Sequence, residues 1–155
     1  MGNEGKESFV LREVEVRFTE RKVTECLDAP IEGQEQIIEI FKDMQNATKE
    51  KIIVVSLDGS SKITCYEVVA VGSVSSVLTT LSEVLRTPIA TAAKSIIVVH
   101  NHPSGDPTPS SEDIKFTGRL KEAADLMGLN LLDHIIIGNG LFWSMHNAPD
   151  TLNEF

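Results

Sequence analysis

Apolar and polar residues alternate over residues 9–18. Phe9, Leu11, Val14, Val16 and Phe18 are apolar, Arg12, Glu13, Glu15 and Arg17 lie among them, and the phase slips once at Arg12-Glu13. This pattern predicts a half-exposed strand with a bulge. After Pro30 the period changes. Ile37, Ile38, Phe41 and Met44 recur at helical spacing within residues 31–46, with Glu32, Glu35 and Glu39 on the early turns, where the helix dipole favours carboxylates. A β-branched run at residues 51–57, the turn dipeptide Asp58-Gly59 and a second run at residues 63–71 predict a hairpin.

Residues 76–86 predict a second helix on Val77, Leu78, Leu81, Val84 and Leu85, with Pro88 interrupting or re-entering it. The unbroken apolar run at residues 96–99 predicts a strand buried on both faces, ending at His100. A Pro/Gly/Ser/Asp loop spans residues 103–109, a helix starts at Ser110 and runs to about Met127, and Gly128 ends it. Residues 129–137 predict another buried strand and residues 141–145 the last one. The order is strand, helix, hairpin, helix, strand, helix, strand, strand. That order implies an α/β fold with a mixed sheet covered by helices.

A chain of 155 residues suits one core. Residues 1–155 therefore read as a single domain, with a flexible tail at 1–7, the N-terminal strand and loop at 8–30 and the core at 31–146. Hydrophobic residues make up 41% and charged residues 24%, which excludes a disordered chain or a coiled coil. No apolar run is long enough to span a membrane, and the polar start predicts no secretory signal. Cys26 and Cys65 form no C-x-x-C pair, which fits a cytoplasmic setting. The net charge of −9 is spread evenly, with 7 basic and 12 acidic residues in the first 50 positions. Without a basic block, strong nucleic-acid binding is not expected, because that affinity comes largely from neutralised phosphates.

The chemistry concentrates after residue 99. His100 and His102 lie two apart at a strand end, so their side chains share one face. After the loop, Asp113 arrives in the first turn of the next helix. Two imidazoles and a carboxylate make a common catalytic zinc set with a fourth position open. Ser110 and Asp113 also read as an ordinary helix cap, and the two readings are compatible, since the cap orders the helix that presents the ligand. Asn101 turns to the opposite face and reads as structural. His134, inside an apolar run, reads as a core histidine. Asp133 or His134 could also orient a ligand, and Trp143 reads as packing.

His100, His102, Ser110 and Asp113 match H-x-H-x(7)-S-x-x-D, the JAMM motif of JAB/MPN-domain metallopeptidases. The wider string HNHPSGDPTPSSEDIKFTGRLKEA, followed by LLDHIIIG at residues 131–138, resembles the RadC family within that group. The resemblance covers residues 35–145. It implies a JAB/MPN fold, a three-layer mixed sheet between helices related to the cytidine-deaminase fold. It also implies an upstream glutamate as general base, and the matching position is Glu50, in Thr48-Lys49-Glu50-Lys51.

The implied activity is zinc-dependent hydrolysis of a peptide or isopeptide bond, with a protein or peptide as substrate. Zinc on His100, His102 and Asp113 would activate a water, Glu50 would move its proton, and Ser110 would hydrogen-bond the developing oxyanion. Two departures stand out. Ser82 occupies a position where RadC relatives carry Arg, and no helix-hairpin-helix-like region precedes the strand at residues 9–18. Three other readings compete. A RadC-type DNA-repair accessory is opposed by the acidic composition. A zinc deaminase would need H-x-E and P-C-x-x-C, which are missing. A non-catalytic MPN interaction module would typically have lost metal ligands.

Overall fold

The structure, a computed structural model, describes residues 11–20, 29–72, 79–147 and 152–154. Its centre is a six-stranded sheet. The strands are β1 (Lys51–Leu57), β2 (Ile63–Val71), β3 (Ser95–Asn101), β4 (Asn130–Ile137), β5 (Leu141–Ser144) and β6 (Leu152–Glu154), in the order β2-β1-β3-β4-β5-β6. All neighbouring pairs are antiparallel except β3–β4, which α3 (Ser111–Leu126) connects as a parallel crossover. The sheet is mixed, as the alternation of apolar runs and helices implies.

Helices cover both faces. On one, α1 (Gln34–Phe41) and the following 3₁₀ turn (Lys42–Asn46) bury Ile37, Ile38, Phe41 and Met44 against Ile53, Val55, Val99 and Ile135. On the other, α2 (Leu81–Ala90) and α3 bury Val84, Leu85, Leu120 and Ala124 against Ile52, Val54, Ile96 and Val98. Consecutive residues of β1 and β3 thus serve opposite cores, which explains why their sequences are unbroken apolar runs. The same parity assigns His100 to the side of α2 and α3, and Asn101 to the side of α1.

The structure corrects three expectations. Residues 11–20 carry no strand, and Leu11 and Val14 are 94% and 90% exposed. Alternation marks which face a strand would bury, but a strand exists only against a neighbouring backbone, and none of the described strands pairs with this segment. Phe9 and the tail at 1–7 lie outside the described residues. The second helix begins at Leu81 rather than at residue 76, because Thr80 is extended and caps it. Its hydroxyl accepts from the Glu83 amide, and the Glu83 carboxylate accepts from the Thr80 amide at 3.0 Å. Val77 and Leu78 lie outside the described residues. That helix also continues through Pro88 to Ala90. In the last turn the proline forfeits only the bond to the Val84 carbonyl, and its ring is buried. Finally, β5 is followed by β6, on a segment too short to show a period.

Candidate metal centre

The β1–β3 register places Ile52 opposite His100. Glu50, two residues before Ile52 and on its face, therefore comes up beside the end of β3, although 50 positions separate it from His100. The contact is direct, with a Glu50 carboxylate oxygen hydrogen-bonded to the Nε2 of His100. The His100 and His102 rings meet edge to face, 4.7 Å apart between centroids. Glu50, His100 and His102 each offer one ligand atom, and these atoms lie within 4.8 Å of one another.

Asp113 closes the arrangement from the first turn of α3. One carboxylate oxygen lies 3.7 Å from His100 Nδ1 and the other 3.5 Å from His102 Nε2. Ser110 is the N-cap of α3. Its hydroxyl donates to Asp113 Oδ2 at 2.6 Å and accepts from the Asp113 amide at 3.1 Å. The expected Glu50, His100, His102, Ser110 and Asp113 thus stand in one cluster. The tightest group of possible ligand atoms includes Glu50, while Asp113 straddles the two imidazoles.

The surroundings fix individual atoms. His102 Nδ1 donates to the Asp106 carbonyl at 2.8 Å, which leaves Nε2 to face the site. Gly105, at φ +86°, closes this loop by donating its amide to the His102 carbonyl. Burial opposes charge on His102, but Asp113 and the Asp106 carbonyl outweigh it and raise its pKa. Burial would raise the Asp113 carboxyl, but hydrogen bonds from His102 and Ser110 prevail and hold it well below the usual carboxylate range.

A metal ion fits these residues. His100 Nδ1 is buried with no hydrogen-bond partner, the Asp113 carboxylate standing 3.7 Å away, and an unpaired buried imidazole nitrogen costs free energy unless something binds it. Two imidazoles with carboxylate oxygens are the donor set that zinc accepts.

Other polar residues frame the cluster. His134 is buried and stacks on His100, with centroids 5.7 Å apart and planes 19° from parallel. It is the core histidine that its apolar surroundings suggest, and it lines the imidazole pair from behind. Trp143 packs edge-on against it at 6.3 Å. Asp133 takes no part in the cluster. It accepts from the His134 and His146 amides and from the Ser144 hydroxyl, and burial nonetheless raises its pKa. Ser82 lies exposed at the start of α2, its hydroxyl 2.9 Å from that of Thr80.

Asn101 has more to do than its separation from the site face suggests. It is fully buried, its Oδ1 accepts from the Lys51 amide at 2.8 Å, and its Nδ2 donates to the Lys49 carbonyl at 3.2 Å. Those two groups flank Glu50. Period two correctly turns Asn101 away from the histidines, but no local pattern states what it meets there.

A family model described as RadC-like JAB domain matches residues 31–150. The chain is 40% identical over 114 residues to a UPF0758 protein of Aquifex aeolicus, covering 74% of this chain and 49% of that one. It is 45% identical over 101 residues to one from Caldanaerobacter subterraneus, covering 65% and 43%. It is 42% identical over 106 residues to one from Methanosarcina mazei, covering 68% and 46%. The chain spans about half the length of these relatives. Among the described residues, no helix is long and apolar enough to cross a membrane.

Proposed function

The chain belongs to the RadC-like JAB domain family, and from that premise we propose that it is a zinc-dependent hydrolase of the JAMM type, cleaving a peptide or isopeptide bond. The observation that carries this reading is the convergence of two imidazoles with the Glu50 and Asp113 carboxylates, one of the imidazoles keeping a buried nitrogen that lacks a partner. His100, His102 and Asp113 would hold the ion. Zinc there would supply Lewis-acid activation of a water and of the scissile carbonyl.

The other steps fall to side chains. Glu50 takes the proton from the attacking water and passes it to the leaving amine. It stands next to the ligands, on a strand end held by the sheet. Ser110, whose hydroxyl donates to Asp113, turns its proton to the carbonyl oxygen as that oxygen gains charge. A donor in this role contributes roughly 3 kcal/mol in comparable enzymes. Asp106 holds His102 in the tautomer that leaves Nε2 free. A protein or peptide substrate suits this chemistry, because an acyl carbon must pass through a tetrahedral state beside base and donor. The net charge of −9 supports it over a nucleic-acid substrate.

The test combines zinc content with hydrolysis of peptide and isopeptide substrates. His100→Ala and His102→Ala should lose zinc and activity together, whereas Glu50→Gln should keep about one zinc per chain, a tetrahedral site's complement, and lose hydrolysis. Absence of zinc uptake by the wild-type protein would sink the hydrolase reading. Zinc uptake with submicromolar DNA binding that persists at physiological salt, and no hydrolysis, would favour the RadC-type accessory instead.

A further inference from the structure

We infer that Asn101 is a positioning residue for Glu50, its side-chain amide acting as the last rung of the β1–β3 ladder and setting the Glu50 carboxylate against the imidazole pair. The inference deepens the proposed hydrolase role, in which Glu50 is the base. It starts from where the ladder ends. Main-chain pairing between β1 and β3 runs from Leu57 opposite Ser95 to Ile52 opposite His100. Beyond that rung β3 bonds only toward β4, and the His102 amide goes to the Ile137 carbonyl at 3.0 Å. Lys49, Glu50 and Lys51 would therefore lose their tie to β3 at the point where the carboxylate must be placed.

Asn101 supplies that tie. A carboxamide carries one donor group and one acceptor, as a peptide unit does, so it can continue a ladder where main chain cannot. Here the acceptor takes the Lys51 amide and the donor reaches the Lys49 carbonyl, one on each side of Glu50. From the opposite edge, the Gly72 amide donates to the Glu50 carbonyl at 2.9 Å. The peptide groups around Glu50 are thus pinned from both neighbouring strands. Asn101 lies between the two histidines, so one residue triplet, His100-Asn101-His102, presents the imidazoles on one face and aligns their carboxylate neighbour from the other. Leucine at 101 would fill the space without the paired donor and acceptor. Aspartate would keep the acceptor and set a negative charge against the Lys49 carbonyl.

The Glu50–His100 hydrogen bond can be followed in the metal-free protein, independently of zinc or substrate, through the ring ¹⁵N–¹H correlations of the histidines at one fixed pH. Glu50→Gln should displace the His100 signal and so define the signature of a lost carboxylate. Asn101→Ala should reproduce more than half of that displacement in the same direction, while His102, held by Asp106, stays near its wild-type position. Asn101→Asp should give a smaller displacement in that direction, and it decides the test if the alanine variant does not fold. Val98→Ala, a truncation in the buried core of the same strand, should lower stability and move neither ring. The inference is overturned if Glu50→Gln leaves His100 unmoved. It is also overturned if the Asn101 variants leave it unmoved, or if Val98→Ala moves it as far. A displaced His100 in a protein that takes up no zinc would keep Asn101 in its role and remove the hydrolase reading.

Discussion

Thr117 and His134 form a buried hydrogen bond whose direction is fixed by a third group. The Thr117 hydroxyl donates its one proton to the Asp113 carbonyl at 2.6 Å, so at 2.6 Å from His134 Nδ1 it can only accept. His134 is therefore the Nδ1–H tautomer, and through Thr117 it anchors the turn of α3 that carries Asp113. Burial, and next the neighbouring His100, push its pKa down to about 3. The unfolded chain binds a proton at this residue below its ordinary value of 6.5, and the folded chain does not until about 3. Stability of the metal-free protein should consequently fall as pH drops through that window, and His134→Phe should flatten the slope there. Urea unfolding at a series of pH values checks this, with the single tryptophan, Trp143, as a buried fluorescent probe. An unchanged slope in the variant would refute the buried neutral imidazole.

Thr117→Val removes the acceptor for His134 and the donor for Asp113 while keeping the volume. Leaving a buried donor unpaired costs roughly 1–3 kcal/mol, which the same urea titrations at neutral pH would read. Thr117→Ser should recover most of the loss. A valine variant as stable as the wild type would mean that the hydroxyl has no structural weight.

Ser110→Ala should cost about 1 kcal/mol by loss of the cap. It also removes a donor that helps keep the Asp113 pKa below its ordinary 3.8. A carboxylate with a depressed folded-state pKa stabilises above its unfolded pKa, and that stabilisation disappears as pH falls through the folded value. The gap between wild type and variant should therefore be widest above pH 3.8 and narrow below it. A gap constant across that range would leave only the cap.

Gly138 has no room for a side chain. A Cβ there would lie 2.3 Å from the Gly105 carbonyl oxygen and 2.6 Å from Pro107 Cδ, both parts of the loop that follows His102. Gly138→Ala should destabilise by roughly 1–3 kcal/mol, as overpacking does, and should weaken zinc binding by shifting the loop. Thermal unfolding and competition for zinc measure the two effects. Unaltered zinc affinity would separate the loop from the metal centre.

The exposed segment at residues 11–20 should tolerate change. Leu11→Ser and Val14→Ser should each alter stability by less than about 0.5 kcal/mol, the range of surface substitutions that disturb no special feature. A larger loss in denaturant unfolding would mean that this segment packs against something after all.

The placement of the histidine pair beside the capped helix was legible because it is local. The strand end, the loop and the capped helix together set His100, His102, Ser110 and Asp113 at fixed spacing, and both periodicities can be counted along the chain. Glu50 was readable only through a family resemblance, since the antiparallel register that brings it to His100 is a property of two distant strands. The bonds made by Asn101 were hidden for the same reason. The misreadings had local causes. Residues 11–18 alternate as a strand would, but alternation cannot say whether a partner edge is near. The start of α2 was signalled by Thr80 and Glu83, a capping box that the apolar spacing upstream obscured.

The loop after His102 is stitched to the turn between β4 and β5. His102 donates to Ile137, Asn139 donates to Gly105, and Gly138 gives up its side chain to let them meet. The geometry of the candidate centre is thus inherited from the sheet and would not need to be assembled around an ion. Loaded and metal-free forms would then share one backbone, and ion capture would bring little change in heat capacity. The rate of uptake would be set by how fast the cation sheds water, with no segment left to fold around it.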